Sequence, residues 1–420
     1  MFKKIAAAAV AVGAFATFSV AAVNFDNPKA NNISSDISKL EVSAPVPATP
    51  AMDTKAGAAK EWTVMVFING KNNLEKYAFM NINQMEKIGS SDKVNIVVQF
   101  GRMNTYSHLD GTWKGTRRYL IKKGSKPNAI FSPVVSDIGK VDMGDYKSVI
   151  DFANWAKTTY PAKHTMLIIW NHGAGWIKGM PEATRGISYD DETNNHIDTP
   201  QMGTILKTIG GVDVYGSDAC LMQMAEVDYE IKDYANFIVG SEETEAGDGY
   251  TYDTLLGPLV SNPAMTPEGL ATVAVDAYTA HYTPTNEAAT QSYVRSAALP
   301  GFLAASNAFA SSLMQANEKD VVKTAMGSAQ SYAYPENKDL YHFTQLVVNA
   351  TANSDVKEKG NALMSYITGT LVGDNKISGN YSDSHGIAVY LPGAAAPSTY
   401  ADLAWAKASN WDDLIAWLAQ

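Results

Sequence analysis

Cysteine is almost missing: Cys220 is the only one in 420 residues. A lone thiol cannot close an internal disulfide, so the fold must rest on its hydrophobic core. The thiol itself is then buried and inert, an intermolecular link, or reactive. Basic residues are also few, 33 Lys and Arg against 43 Asp and Glu, giving a net charge of −10. This balance argues against a nucleic-acid partner and favours a cationic ligand. Past the first twenty residues no apolar run is long enough to span a bilayer. No His, Cys and Glu spacing fits zinc, and no glycine-rich loop fits a phosphate. Asp190, Asp191 and Glu192 could ligate calcium but read better as a solvated loop. No metal or other cofactor is therefore expected.

What is present begins with an export signal. Met1 to Lys4 supply positive charge, Ile5 to Val20 an alanine-rich apolar stretch, and Ser19 to Ala21 a small-residue cleavage site. Residues 1–21 are expected to be a signal peptide, and the mature chain to be secreted or periplasmic without a membrane anchor. Residues 22–59, rich in Pro, Ala, Ser, Asn and Asp, read as a disordered linker or pro-segment.

Order begins at Trp62. The apolar runs WTVMVFING and VNIVVQFG read as buried strands, with a helix from Asn73 to Ile88 between them. TRRYLIKK, at 116–123, alternates as an edge or hairpin strand would. After Gly144 and Asp145 a helix places Val149, Phe152, Ala153 and Ala156 on one face, and Pro161 ends it. Thr165–Trp170 and Val212–Tyr215 are short strands, and NFIVGS another. Such alternation predicts an α/β fold, a mostly parallel sheet with helices on both faces, over 60–260. From 261 to 420 longer amphipathic helices (266–283, 300–316, 337–352, 356–371) predict a mainly helical subdomain with a late strand at 385–392.

The two short strands both end abruptly in small and polar residues, as strands do where an α/β sheet opens into its ligand crevice. The first delivers His172, the second Asp218 and Cys220. A histidine and the lone thiol at adjacent strand tips suggest a nucleophile and its base. Cys220 is predicted to start a helix running to about Tyr234, whose dipole would favour a thiolate. Gly173 permits close backbone approach, and its N–H together with that of Cys220 could hold an oxyanion. Asp218 would oppose the thiolate if it faced the sulfur, so it is expected to face a neighbouring pocket and pair with a cationic substrate side chain. Asp248, in the turn between Gly247 and Gly249, could reach the same pocket. The other histidines (108, 164, 196, 281, 342 and 385) read as structural, with His385 the nearest rival to His172.

These residues resemble the clostripain family of cysteine peptidases, relatives of the caspases, gingipains and legumains. The likeness rests on WTVMVFINGKNNLE, MGDYKSVIDFANWAKTTYPAKH, LIIWNHGAGW, RGISYDD, GSDACLMQMAEVDYEI and VGSEETEAGDGYTYDTLL, with HGIAVYLP and the closing helix. It implies a caspase-like fold and an endopeptidase acting through a thioester acyl-enzyme on protein or peptide substrates. His172 would be the general base and acid, Cys220 the nucleophile, and Asp218 with Asp248 the acidic lining that selects Arg or Lys before the cleaved bond. Members are often activated by a cut after the histidine strand. In the 177–199 loop Arg185, or else Lys178, would serve as that site. Lys71 departs from the aspartate commonly found there. Relatives differ in calcium need, so no such dependence carries over. A catalytically silent binding or adhesion module, and a transpeptidase using the same acyl-enzyme, are the competing readings of this fold.

Overall fold

The computed structural model describes residues 59–176, 186–285 and 287–420. The expected signal peptide, all but the last residue of the 22–59 linker, and both expected processing residues, Lys178 and Arg185, lie outside these.

In chain order the strands are β1 (Lys60–Gly70), β2 (Val94–Arg102), β3 (Gly115–Leu120), β4 (Val134–Gly139), β5 (Ala162–Trp170), β6 (Ile187–Asp190), β7 (Asn195–Ile197), β8 (Val212–Asp218), β9 (Ala235–Gly240), β10 (Ala289–Arg295), β11 (Asn337–Asp339), β12 (Val372–Ser378) and β13 (Ala388–Tyr390). Nine of them form one sheet, ordered β12-β10-β9-β8-β5-β1-β2-β3-β4. It is parallel from β9 through β8, β5 and β1 to β2, and antiparallel at both margins. From β1 the chain first builds outward through β2 to β4, then returns to β5 on the other side. The carboxyl ends of β1 and β5 thus flank the point where an open α/β sheet binds its ligand.

Both faces are buried, and the period of two in each strand shows why. Trp62, Val64, Val66 and Ile68 of β1 enter one core, with Met166, Ile168 and Trp170 of β5. Met65 and Phe67 enter the other, with Leu167 and Ile169. The first core lies under α1 (Glu75–Ile88), and the second under α2 (Tyr146–Thr159), α3 (Thr199–Thr208) and α4 (Ala225–Ile231). In α2 the buried residues are Val149, Phe152, Ala153 and Ala156, the face its spacing predicts. α3 begins with an Asp198–Gln201 capping box and a proline in its first turn, a strong start signal.

The region 261–420 is helix-rich, yet it also gives β10 and β12 to the central sheet. The described residues fall in a single compact unit that is not divided near 260. The late strand is Ala388–Tyr390 and pairs with β11 in a separate two-stranded sheet. β3 is not the outermost strand; β4, with Val134 and Val135 exposed, lies outside it.

The helix predicted to start at Cys220 begins only at Ala225. Between them the backbone runs alongside the exit of β9. Leu221 N–H donates to the Glu243 carbonyl and Gln223 N–H to that of Ser241, each at 3.0 Å. These bonds take the amides that a helix would have used, and Leu221 turns with φ 64°. Cys220 therefore has no helix dipole behind it.

Candidate active site

Three strand ends converge. Beyond β5, the Asn171 side chain donates to the Asn69 carbonyl at 2.6 Å and accepts from Tyr189 N–H at 2.6 Å. It ties the end of β1 to the β6–β7 hairpin and fixes the base of the next residue. His172 then lies with Nε2 2.7 Å from Oδ1 of Asn73, two residues before α1. The register that pairs Trp170 with Asp218 across β5 and β8 sets His172 beside the Ala219–Cys220 backbone. Gly173 makes this approach possible. A Cβ there would fall 2.4 Å from the Cys220 carbonyl oxygen and 3.1 Å from its nitrogen, a contact no side chain tolerates.

Cys220 is half-buried, and its sulfur accepts from Glu245 N–H at 3.2 Å. The amides of Gly173 and of Cys220 itself also act on it, so the two N–H groups expected to hold an oxyanion both point to the sulfur's side. Burial pushes the thiol up from its ordinary value, against the pull of these amides. Burial likewise lowers His172, with Asp191 opposing it. Both shifts favour neutral forms. They favour a resting site of thiol and imidazole over one of thiolate and imidazolium.

His172, Cys220 and Asp218 line one cavity of about 90 Å³, together with Trp170, Leu74 and the 245–249 turn. Its size suits the end of one side chain rather than a cofactor. Asp218 sits at its floor, 3% exposed. Tyr250 N–H donates to one carboxyl oxygen at 3.0 Å and Tyr252 O–H to the other at 2.7 Å. Gly249, at φ +62°, is held close against this carboxyl; a Cβ there would be 2.6 Å from Oδ1.

Asp248 does not join it. The turn through Gly249 directs its side chain outward, half-exposed and 4.0 Å from His281, while its carbonyl accepts from Asn81. The acid that enters the cavity instead is Glu245, half-buried as a residue, with its Oε2 enclosed and its carboxyl beside that of Asp218. Sequence reasoning missed it because SEETE reads as one polar run. Its members in fact point to separate places. Glu242 accepts from Gly386 N–H, while Glu243 accepts from Ala333 N–H and Tyr381 O–H. Asn73 was missed as well, read only as a helix start.

Asp190 is likewise not solvated. It is 1% exposed, accepts from Met143 N–H at 2.8 Å and lies 3.5 Å from Lys71 Nζ. Lys71, wholly buried, also bonds Glu192 at 2.6 Å and the Val141 carbonyl. The lysine that departs from the family pattern is thus the cation that docks the β6–β7 hairpin onto β1. His385 lies away from the cavity, paired with Asp339 at 3.1 Å and stacked on Tyr341.

Comparison with known proteins agrees with this fold. The model of the Clostripain family matches residues 66–417. Clostripain of Hathewaya histolytica is 31% identical over 217 residues, 46% of this chain and 41% of that protein; the chain thus spans about two fifths of that relative's length. A secreted C11 cysteine protease from Bacteroides thetaiotaomicron, solved with an irreversible peptide inhibitor, aligns with a TM-score of 0.65 at 19% identity, covering 84% of this chain and 99% of that one. An inactive zymogen C11 protease from Parabacteroides distasonis aligns with a TM-score of 0.64 at 20% identity, covering 83% and 98%. At such identities these two speak for the fold.

Proposed function

The chain belongs to the clostripain family; from that premise we propose that it is a cysteine peptidase, that His172 and Cys220 are its dyad and that it cuts peptide bonds after Arg or Lys. The observation that carries this reading is the shared cavity, with the thiol and imidazole at its rim and a buried carboxyl at its floor.

A cationic side chain enters toward Asp218 and brings the following carbonyl over the sulfur. His172 removes the thiol proton as the S–C bond forms, so charge appears only when the carbonyl oxygen can accept it. That oxygen receives the Gly173 and Cys220 N–H groups, which gain strength in a site that excludes water. The imidazolium then protonates the departing amine as the C–N bond breaks, leaving a thioester. Water, deprotonated by the same imidazole, attacks the thioester, and the thiol is restored. Asn73 keeps the ring in place throughout.

The N-terminal signal, and the description of one structural relative as secreted, support export. Activation by a cut after Arg185, or after Lys178, in the 177–199 loop is part of the same proposal, and a structural relative is described as a zymogen. In the test, Cys220→Ala abolishes hydrolysis of an Arg-amide peptide and the appearance of an N-terminus at Gly186, while thermal unfolding stays cooperative. Undiminished hydrolysis by that variant overturns the dyad. A Gly186 terminus formed by purified Cys220→Ala protein overturns self-cleavage.

A further inference from the structure

Glu245 has no evident role in the fold. Its carboxyl is enclosed, reaches the cavity beside Asp218 and shares a hydrogen bond with that acid, while no amide, hydroxyl or cationic donor among the described residues meets Oε2. Leaving such an atom without a donor is costly, a cost that becomes intelligible if a ligand supplies one. Asp218 is differently placed, since each of its oxygens already accepts from Tyr250 or Tyr252. The groups that act on Glu245 are Asp218, both by its charge and by a side-chain hydrogen bond between the two acids, and Cys220. Its remaining neighbours Tyr250, Tyr252, Tyr278 and Tyr282 stay uncharged, each pushed upward in part by this acid. Two acids joined by one proton are a site at which a cation from outside can take that proton's place.

We propose that Glu245 is a second specificity-determining carboxyl, receiving the cationic side chain jointly with Asp218, and that it links recognition to catalysis because its own amide holds the nucleophile. This rests on the reading of the cavity as the pocket for Arg or Lys. Asp218 supplies a fixed acceptor, and Glu245 an acceptor held in the empty enzyme by Asp218 itself. A guanidinium or ammonium between them donates to Oε2 and neutralises two acids held against each other. An uncharged side chain of the same shape can donate a hydrogen bond there but leaves the charge of the two acids unbalanced. The 3.2 Å bond from Glu245 N–H to the sulfur means that a shift of this residue on binding is felt at Cys220.

The test compares kcat/KM for peptide amides with Arg, Lys and the neutral isostere citrulline before the cleaved bond, in wild type, Glu245→Gln and Glu245→Asp. The expected result is a fall of roughly 10- to 100-fold in the Arg-to-citrulline ratio for Glu245→Gln, and a smaller fall for Glu245→Asp. If Glu245→Gln does not unfold cooperatively, Glu245→Asp decides. A wild-type ratio in a folded variant overturns the role of Glu245 and leaves the pocket assignment standing. A wild-type enzyme that does not prefer Arg or Lys over citrulline overturns the pocket assignment itself.

Discussion

The side-chain oxygen of Asn73 stands 2.7 Å from Nε2 of His172, so the imidazole is oriented by the end of a neighbouring strand rather than by its own loop. Accepting from Nε2–H leaves Nδ1 as the basic nitrogen and sets the tautomer. Asn73→Ala should lower kcat by about tenfold with little change in KM, since orientation is lost and binding is not. Asn73→Asp should move the acid limb of the pH–rate profile upward, because a carboxylate stabilises the imidazolium. An unmoved limb in Asn73→Asp would mean the contact does not operate during turnover.

Burial acts on the dyad in two directions, lowering His172 and raising Cys220. Neutral imidazole therefore persists below the ordinary histidine value of 6.5, and the acid limb of kcat/KM should lie below that pH. The thiol should resist ionisation, so alkylation of free enzyme by iodoacetamide should accelerate only above the ordinary cysteine range. Rapid alkylation at pH 6, abolished by His172→Ala, would instead reveal a preformed thiolate–imidazolium pair.

Two aspartates that look equivalent in sequence should behave differently. Asp218→Asn should cut kcat/KM for Arg and Lys substrates by roughly 100-fold or more, far beyond its effect on a citrulline substrate. Asp248→Asn should leave that selectivity as it was, since its side chain is turned toward His281. Equal losses for the two variants in a side-by-side assay would place Asp248 back in the pocket.

Glu226 provides a stability test away from the chemistry. It is wholly buried, accepts from Tyr390 N–H and Tyr400 O–H, and is pushed up by burial from 4.5 to about 7. The folded chain binds this proton more tightly than the unfolded one. The contribution is thus complete below the unfolded value and is lost as pH rises through 7, by about 3 kcal/mol at most. Asp228 beside it is also raised by burial and then by Glu226, with the same sign. Urea unfolding of Cys220→Ala protein should show falling stability from pH 5 to pH 8, with a shallower fall in Glu226→Gln. Identical slopes would remove Glu226 as a source.

How much of this was legible in the sequence depends on how each residue is held. His172 and Cys220 could be found because each closes a run of buried apolar residues, and Gly173 because only glycine fits beside a second backbone. The extended path after Cys220 could not, since Ala219 to Ala225 carry ordinary helix formers. Their backbone is instead set by partners more than fifteen residues away, at Ser241 and Glu243. β10 was hidden because its buried centre is Thr290, Gln291 and Ser292, polar side chains that interrupt the apolar run a strand usually shows. β4 and β12 were hidden as partly exposed margins of the sheet. Glu245 and Asp248 differ only in which way a turn points them, and composition says nothing of that.

The facing of Trp170 and Asp218 in neighbouring parallel strands has a mechanical corollary. Imidazole and sulfur are gauged by one rung of a hydrogen-bonded ladder, and within the excursion of chain between them the β6–β7 hairpin steadies that measure through Tyr189 and Asn171. Displacing the hairpin should therefore be felt at the imidazole, although it contributes neither reacting group.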